Sequence, residues 1–234
     1  MKRLLLAPLI LGALPAMAGD FSAIGALSQD QFRKVSEDLG AALSYKGVTP
    51  ATPLGLAGFD IGLEVSATDI RNSDLFSLAG SGSPDTIVVP KLHVYKGLPF
   101  GIDIGAFVGG ASDVNATLYG LDARWALLDD GVATPAVAIR LSGTRASDIG
   151  SVRISTLAGD LMVSKKFAIA TPYLGAGVVR TNSEAGGTGL ADEAFNKSRV
   201  FAGLNLNLAV LNLAFEAEKL GENTTLSAKA GWRF

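Results

Sequence analysis

Residues 58–67 read Gly-Phe-Asp-Ile-Gly-Leu-Glu-Val-Ser-Ala, with a period of two. Phe59, Ile61, Leu63, Val65 and Ala67 are apolar, while the interleaved Gly58, Asp60, Gly62, Glu64 and Ser66 are small or polar. Successive side chains of an extended strand point to opposite faces, so this stretch is a strand with one apolar and one polar face. The pattern recurs along the chain. Leu92 and Val94 alternate with Lys91 and His93; Ile102, Ile104 and Ala106 alternate with Asp103 and Gly105. Leu121, Ala123 and Trp125 enclose Asp122 and Arg124, and Ile139 and Leu141 enclose Arg140. Leu157, Leu161 and Val163 alternate with Asp160 and Ser164, whereas residues 173–179 suit either face. Near the end, Leu213, Phe215 and Ala217 surround Glu216 and Glu218. The final stretch sets Leu226, Ala228, Ala230, Trp232 and Phe234 against Ser227, Lys229 and Arg233.

Short connections are expected at 46–53, 96–99, 129–135, 165–172 and 209–211, and two long ones at 69–85 and 181–197. Short turns on one side and long loops on the other are the asymmetry of outer-membrane barrels. The count is ten strands; residues 41–45 offer an eleventh and so a twelve-stranded alternative.

Composition points the same way. Hydrophobic residues make up 48% of the chain and its mean hydropathy is +0.34, yet no segment after the amino-terminal one is apolar over the roughly 20 residues that a membrane helix needs. A transmembrane strand resolves the conflict, because only alternate residues meet lipid. A soluble sandwich also alternates, but it needs a second apolar face, and here nearly every polar face carries charge. In lipid a strand edge finds no water, so the sheet must close. The fold expected is therefore all-β: an antiparallel transmembrane β-barrel of about ten strands with a short helix before it. The helix is read from Ser28, Asp30, Gln31, Phe32, Val35 and Leu39, with Ser28 and Gln31 at capping-box spacing and Gly40 as its stop. Barrel mouth, lumen and periplasm are all open to it.

Lys2 and Arg3, the apolar run 4–14 and the triplet Ala16-Met17-Ala18 have the layout of a secretory signal peptide. The expected division is 1–18 signal peptide, 19–53 helix and lead-in, and 54–234 barrel. With no cysteine, no disulfide can form. Twenty basic against 22 acidic residues, both signs scattered, give a net charge of −2 and no basic face for nucleic acid.

The terminal alternation 226–234, ending in Trp232 and Phe234, resembles the signal by which the outer-membrane barrel-assembly machinery recognises its substrates. The whole chain resembles the small, uncharacterised, porin-like outer-membrane barrels of Gram-negative bacteria. That resemblance implies export to the outer membrane, outer-membrane lipids and the assembly machinery as partners, and no particular activity.

The candidate site is a lumen charge network: Asp60, Glu64, Lys91, His93, Asp103, Asp122, Arg124, Arg140, Glu216, Glu218 and Lys229. Glycines flank Asp60 and Asp103, leaving space beside each carboxylate for a basic partner, water or a ligand. Tight turns are expected to set His93 opposite Asp103 and Asp122 opposite Arg140, as favourable cross-strand pairs. His93 beside an acid suggests half of a hydrolytic triad, but no G-x-S-x-G elbow accompanies it. One histidine and no cysteine give no zinc set; Asp192 and Glu193 are at most a weak calcium loop; Gly175-Ala176-Gly177 lacks the context of a phosphate loop. No catalytic, metal or cofactor residue is assigned. Tyr119, Trp125, Phe100, Phe167, Trp232 and Phe234 fit aromatic girdles. The function expected first is a structural or binding module with a filled, charge-paired lumen. A narrow channel for ions or small solutes comes second, and a lipid-modifying enzyme built on His93 third.

Overall fold

A computed structural model describes residues 21–234; the signal peptide expected at 1–18 lies outside the described residues. Ten antiparallel strands close into a barrel in which each strand pairs with its sequence neighbours and the first with the last. They are β1 Phe59–Asp69, β2 Thr86–Gly97, β3 Ile102–Ala111, β4 Ala116–Leu128 and β5 Ala136–Ile149. The circuit continues with β6 Val152–Ser164, β7 Ala170–Ala185, β8 Glu193–Leu208, β9 Leu211–Leu220 and β10 Asn223–Arg233. Closure rests on the β1–β10 ladder, where Leu63 faces Ala230 and Glu64 faces Lys229. Phe59 and Phe234 exchange backbone hydrogen bonds of 2.6 and 3.0 Å at its lower edge.

The alternation fixes which way the wall faces. Leu63, Leu141 and Leu226 are 63%, 60% and 62% exposed on the outer surface, whereas Glu64 and Arg140, one residue away, and Lys229, three residues away, lie on the inward parity and are buried. Trp125, Phe100, Phe167, Trp232, Phe234 and Tyr119 are also exposed outside. Among the described residues no helix is long and apolar enough to cross a membrane.

Several expectations are corrected. Among the described residues the strands number ten, as expected, and the twelve-stranded alternative falls away, because residues 41–43 finish helix α1, Gln29–Leu43, and the lead-in continues to residue 58 without pairing as a strand. Ser28 caps α1 with the expected box, but Gly40 does not stop it. A Cβ at Gly40 would stand 2.8 Å from Thr181 Oγ1, so this glycine serves a close helix-to-wall approach. Residues 46–53 are no turn between strands; they run inside the barrel. The long loop expected at 181–197 shrinks to 186–192, since β7 and β8 extend to meet it. Only 70–85 is long, and it holds the short helix α2, Ser73–Leu78. We call the end bearing 70–85 the loop end and that bearing the carboxy terminus the turn end.

Candidate functional site: a lumen filled by the chain's own amino-terminal segment

Residues 21–58 descend through the barrel from the loop end to the turn end before β1 begins. At the loop end, Ala23 N donates to Ala79 O at 3.0 Å, and Phe21 meets Phe76 of α2 edge-on at 5.7 Å. Loop 70–85 thereby folds over the mouth. Helix α1 enters beneath it, its polar rim tied to the wall: Arg33 to Glu193 at 2.9 Å and Lys197 to Glu37 at 2.9 Å. Asp38, deeper down, accepts from Arg71 N, Asn72 N, Asn72 Nδ2 and Asn223 Nδ2 at 2.7–3.3 Å. One carboxylate thus joins the helix, the long loop and the β9–β10 turn.

The upper lumen is apolar. Phe32, Val35, Leu39 and Leu43 follow the 3.6-residue period and pack, buried, with inward Ile87, Val89, Leu118 and Ile154. The lower lumen is ionic. Below α1 the chain is extended, and the wall bonds its backbone directly. Arg199 Nη1 donates to Tyr45 O at 2.8 Å, and the Tyr95 hydroxyl donates to Gly47 O at 3.0 Å. Leu54 N donates to Asp103 Oδ1 at 3.1 Å and Thr52 N to Ser164 Oγ at 3.1 Å. Arg124 reaches Pro50 O. Gly47 is required here, because a Cβ would overlap the Arg140 guanidinium.

All eleven residues expected in the charge network are buried. They fall into connected groups. Lys229 contacts Asp60 at 3.0 Å. Glu64 receives Lys91 at 2.7 Å and His93 Nε2 at 2.6 Å. Arg124 pairs with Asp103 at 2.5 Å. Asp122 accepts from the Tyr45 hydroxyl at 3.0 Å, and the Tyr95 hydroxyl oxygen lies 2.8 Å from that of Tyr45. Asp160 bridges Arg140 at 3.0 Å and Arg199, and Lys46 holds Glu218 at 2.9 Å. Glu216 lies buried on the same wall.

Two expected pairs are corrected. His93 stands opposite Phe107, not Asp103, because Asp103 is paired with Gly97; its carboxylate partner is Glu64 on the other neighbouring strand. Arg140 faces Arg124, and Asp122 faces Ser142, since the β4–β5 turn shifts the register by two. The two arginines tolerate each other because each has its own carboxylate. The space beside the flanking glycines is taken by the protein itself: Tyr95 and Asp122 cover Gly105, and the Lys229 stem lies over Gly62.

Sequence reading missed Tyr45, Lys46, Asp160, Arg199 and Arg233 as members. For the last three the signal was available in strand parity, which turns each inward with a residue already assigned. Lys46 carried none, having been placed in a turn. His93 is fully buried and stacked on Phe107 at 5.2 Å and Tyr95 at 5.8 Å. Its polar contact is the Glu64 carboxylate at 2.6 Å, and its side chain has no exposed surface.

Comparison with known proteins gives limited likeness. No family model matches the chain. It is similar to UDP-N-acetylenolpyruvoylglucosamine reductases; that of Streptococcus pyogenes serotype M12 (strain MGAS9429) is 30% identical over 118 residues, 49% of this chain and 40% of the relative. The chain thus spans about two fifths of the length of the curated relatives it matches. Among solved structures, the amino-terminal β-barrel domain of Pseudomonas aeruginosa OprF is 15% identical, with 75% of this chain and 97% of that one covered and a TM-score of 0.40. The KdgM porin is 7% identical, with 75% and 99% covered and a TM-score of 0.40. Neisserial surface protein A is 12% identical, with 75% and 95% covered and a TM-score of 0.34.

Proposed function

We propose that the chain is an outer-membrane protein whose barrel is sealed by its own amino-terminal segment and acts as a structural or binding module, not as an open channel. The observation that carries the reading is the descent of residues 21–58 through the lumen. Tyr45, Lys46, Arg140 and Arg199 meet at its waist with no accessible surface, so the charges an ion would need are spent on one another and on the segment's backbone. The outward apolar band with aromatic residues on its surface supports a lipid setting, since a closed sheet leaves no edge unsatisfied there. Outer-membrane lipids are then the surroundings of the belt, and Trp232 and Phe234 are positioned on the outer surface for the assembly machinery to read. The turn end, with the carboxy terminus, faces the periplasm, and loop 70–85 faces outward. The burial of His93 among Glu64, Phe107 and Tyr95 supports the module over the lipid-modifying enzyme.

Conductance of the full chain in planar bilayers tests this. A silent membrane at protein densities confirmed by vesicle incorporation is the expected result. A steady, reproducible open current would overturn the sealed module in favour of the channel.

A further inference from the structure

The outer surface is not equally greasy all round. On β5, β6, β7 and β8 the strands run 13–16 residues, longer than the 10–12 of β1, β2, β3, β9 and β10. Their extra length rises beyond the apolar belt at the loop end. The change from apolar to polar occurs on outward parity at Gly143 to Arg145 on β5, Leu157 to Ser155 on β6 and Val178 to Arg180 on β7.

Three exposed arginines collect at that border. Arg145 pairs in register with Ser155, which pairs with Asn182. Arg153, one step higher, pairs with Glu184, and Arg180, one step lower, pairs with Leu157 of the belt. Neighbouring strands lie about 4.8 Å apart, so the three guanidinium groups straddle about 10 Å of wall. Arg145, Arg153, Ser155, Asn182 and Glu184 line a shallow depression of about 140 Å³. The only carboxylate near these arginines among the described side chains is Glu184, 3.7 Å from Arg153, with both side chains more than half exposed. Arg145 and Arg180 have no ion-pair partner among the described residues. Toward the loop end of the opposite wall the charges are met otherwise: Asp69 neutralises Arg71 at 3.0 Å, and Lys219 turns to Glu222 O and Thr224.

We propose that Arg145, Arg153 and Arg180 form a docking surface for the phosphate of an anionic membrane lipid whose acyl chains lie against the belt below. The inference rests on the membrane reading above. Guanidinium groups match phosphate oxygens with paired, charge-assisted hydrogen bonds, and Ser155 and Asn182 add neutral donors between them. Leu157 and Val178, directly beneath, carry the apolar surface on without a break. Tyr119, opposite Arg145 in register, stands where an aromatic ring suits a headgroup boundary. A lipid satisfies both halves of this surface; a free anion satisfies one.

The full chain, reconstituted into vesicles of phosphatidylcholine alone or with a minor fraction of phosphatidic acid, is floated on a density gradient. It is then released into mild detergent, and retained lipid is counted by native mass spectrometry. The wild type is expected to float with both vesicles and to retain phosphatidic acid over phosphatidylcholine. R145Q/R153Q/R180Q, which changes only exposed side chains, is expected to float equally well and to lose that preference by about tenfold or more, as for the loss of one to two charge-assisted contacts. K219Q on the opposite wall is expected to keep it. Equal retention by the triple variant and the wild type would overturn the proposal, as would an equal loss in K219Q. Displacement of the lipid by inorganic phosphate alone would show an anion site in place of a lipid site. A wild-type chain that floats with neither vesicle would instead overturn the membrane reading, and this docking surface with it.

Discussion

Toward the loop end the lumen is filled by a helix against apolar wall residues; toward the turn end it is filled by an extended strand of chain against ion pairs. The difference follows from where each segment's backbone hydrogen bonds go. An α-helix satisfies most of its own N–H and C=O groups, so the wall around α1 need supply only packing, and it presents Ile87, Val89, Leu118 and Ile154. The chain from 44 to 58 has no such ladder. A buried backbone group without a partner costs roughly 1–3 kcal/mol, and the wall answers with Arg199, Tyr95, Arg124, Ser164 and Asp103, each bonded to that backbone. Pro50 and Pro53 lower the demand by lacking an N–H. The lower charges are therefore the hydrogen-bonding shell of an irregular segment, balanced among themselves into near-neutral groups.

The largest expected contrast between the two ends is all-or-none. The chain has no cysteine, so single cysteines can be introduced cleanly. Asp30, exposed at the loop-end mouth, and Thr134, exposed in the β4–β5 turn, report opposite sides. On intact cells a bulky maleimide polymer is expected to label D30C and leave T134C untouched, and cell lysis should equalise them. Reversed labelling would invert the barrel, and labelling of neither would bury the mouth that the threaded segment is said to reach.

Next in size is the ionic half. Lys46 and Glu218 are both withdrawn from water, and removing one partner of a buried pair leaves an uncompensated charge at a cost of about 3–5 kcal/mol. K46M is expected to lose that much in urea unfolding from lipid vesicles. K46M/E218Q is expected to recover a large part, because the orphaned carboxylate is then neutral. A double variant as unstable as K46M would mean that Lys46 acts through its bond to Ala41 O at 2.6 Å and not through the pair.

Much of the wall was legible from alternation alone, because period two assigns each side chain to a face without knowledge of partners. The occupant of the lumen was less so. Ser28 with Gln31 announced the helix, but its position depends on contacts 33 to 185 residues away, such as Ser36 to Ser183 at 2.8 Å. One local signal did exist. In Ile87-Val88-Val89-Pro90 both faces of β2 are apolar, Ile149, Val152 and Ile154 are apolar on the inward parity, and an apolar residue pointing into a barrel requires something apolar inside. The register errors at His93 and Asp122 have other sources: the β2–β3 connection spans residues 98–101 and is longer than a tight turn at Gly97 and Leu98, and β4 shifts its register between Ala126 and Leu128.

The apolar half should respond more mildly than the ionic one. Leu39 is fully buried in the upper cluster, and truncation of a buried leucine costs about 3 kcal/mol, the transfer and cavity contributions together. L39A is expected to lower stability by that amount, and since no charge is stranded, no second substitution among the ionic residues should restore it. Restoration by a lower-half variant would show that the two halves share one energetic unit.

The smallest effect probes the seam where helix meets wall. In an exposed helix, replacing glycine by alanine stabilises by about 1 kcal/mol. At Gly40 the added Cβ would stand 2.8 and 2.9 Å from Thr181 Oγ1 and Cγ2, and forcing a methyl group into a packed site costs about 1–3 kcal/mol. The second contribution outweighs the first, so G40A is expected to destabilise by about 1 kcal/mol. Thr181 supplies both obstructing atoms, and with T181A only its Cβ remains, at 3.3 Å. G40A made in the T181A background should therefore change sign and stabilise. If it destabilises in both backgrounds, helix α1 is not held against β7 by the close approach of Gly40, and the glycine ends a helix after all.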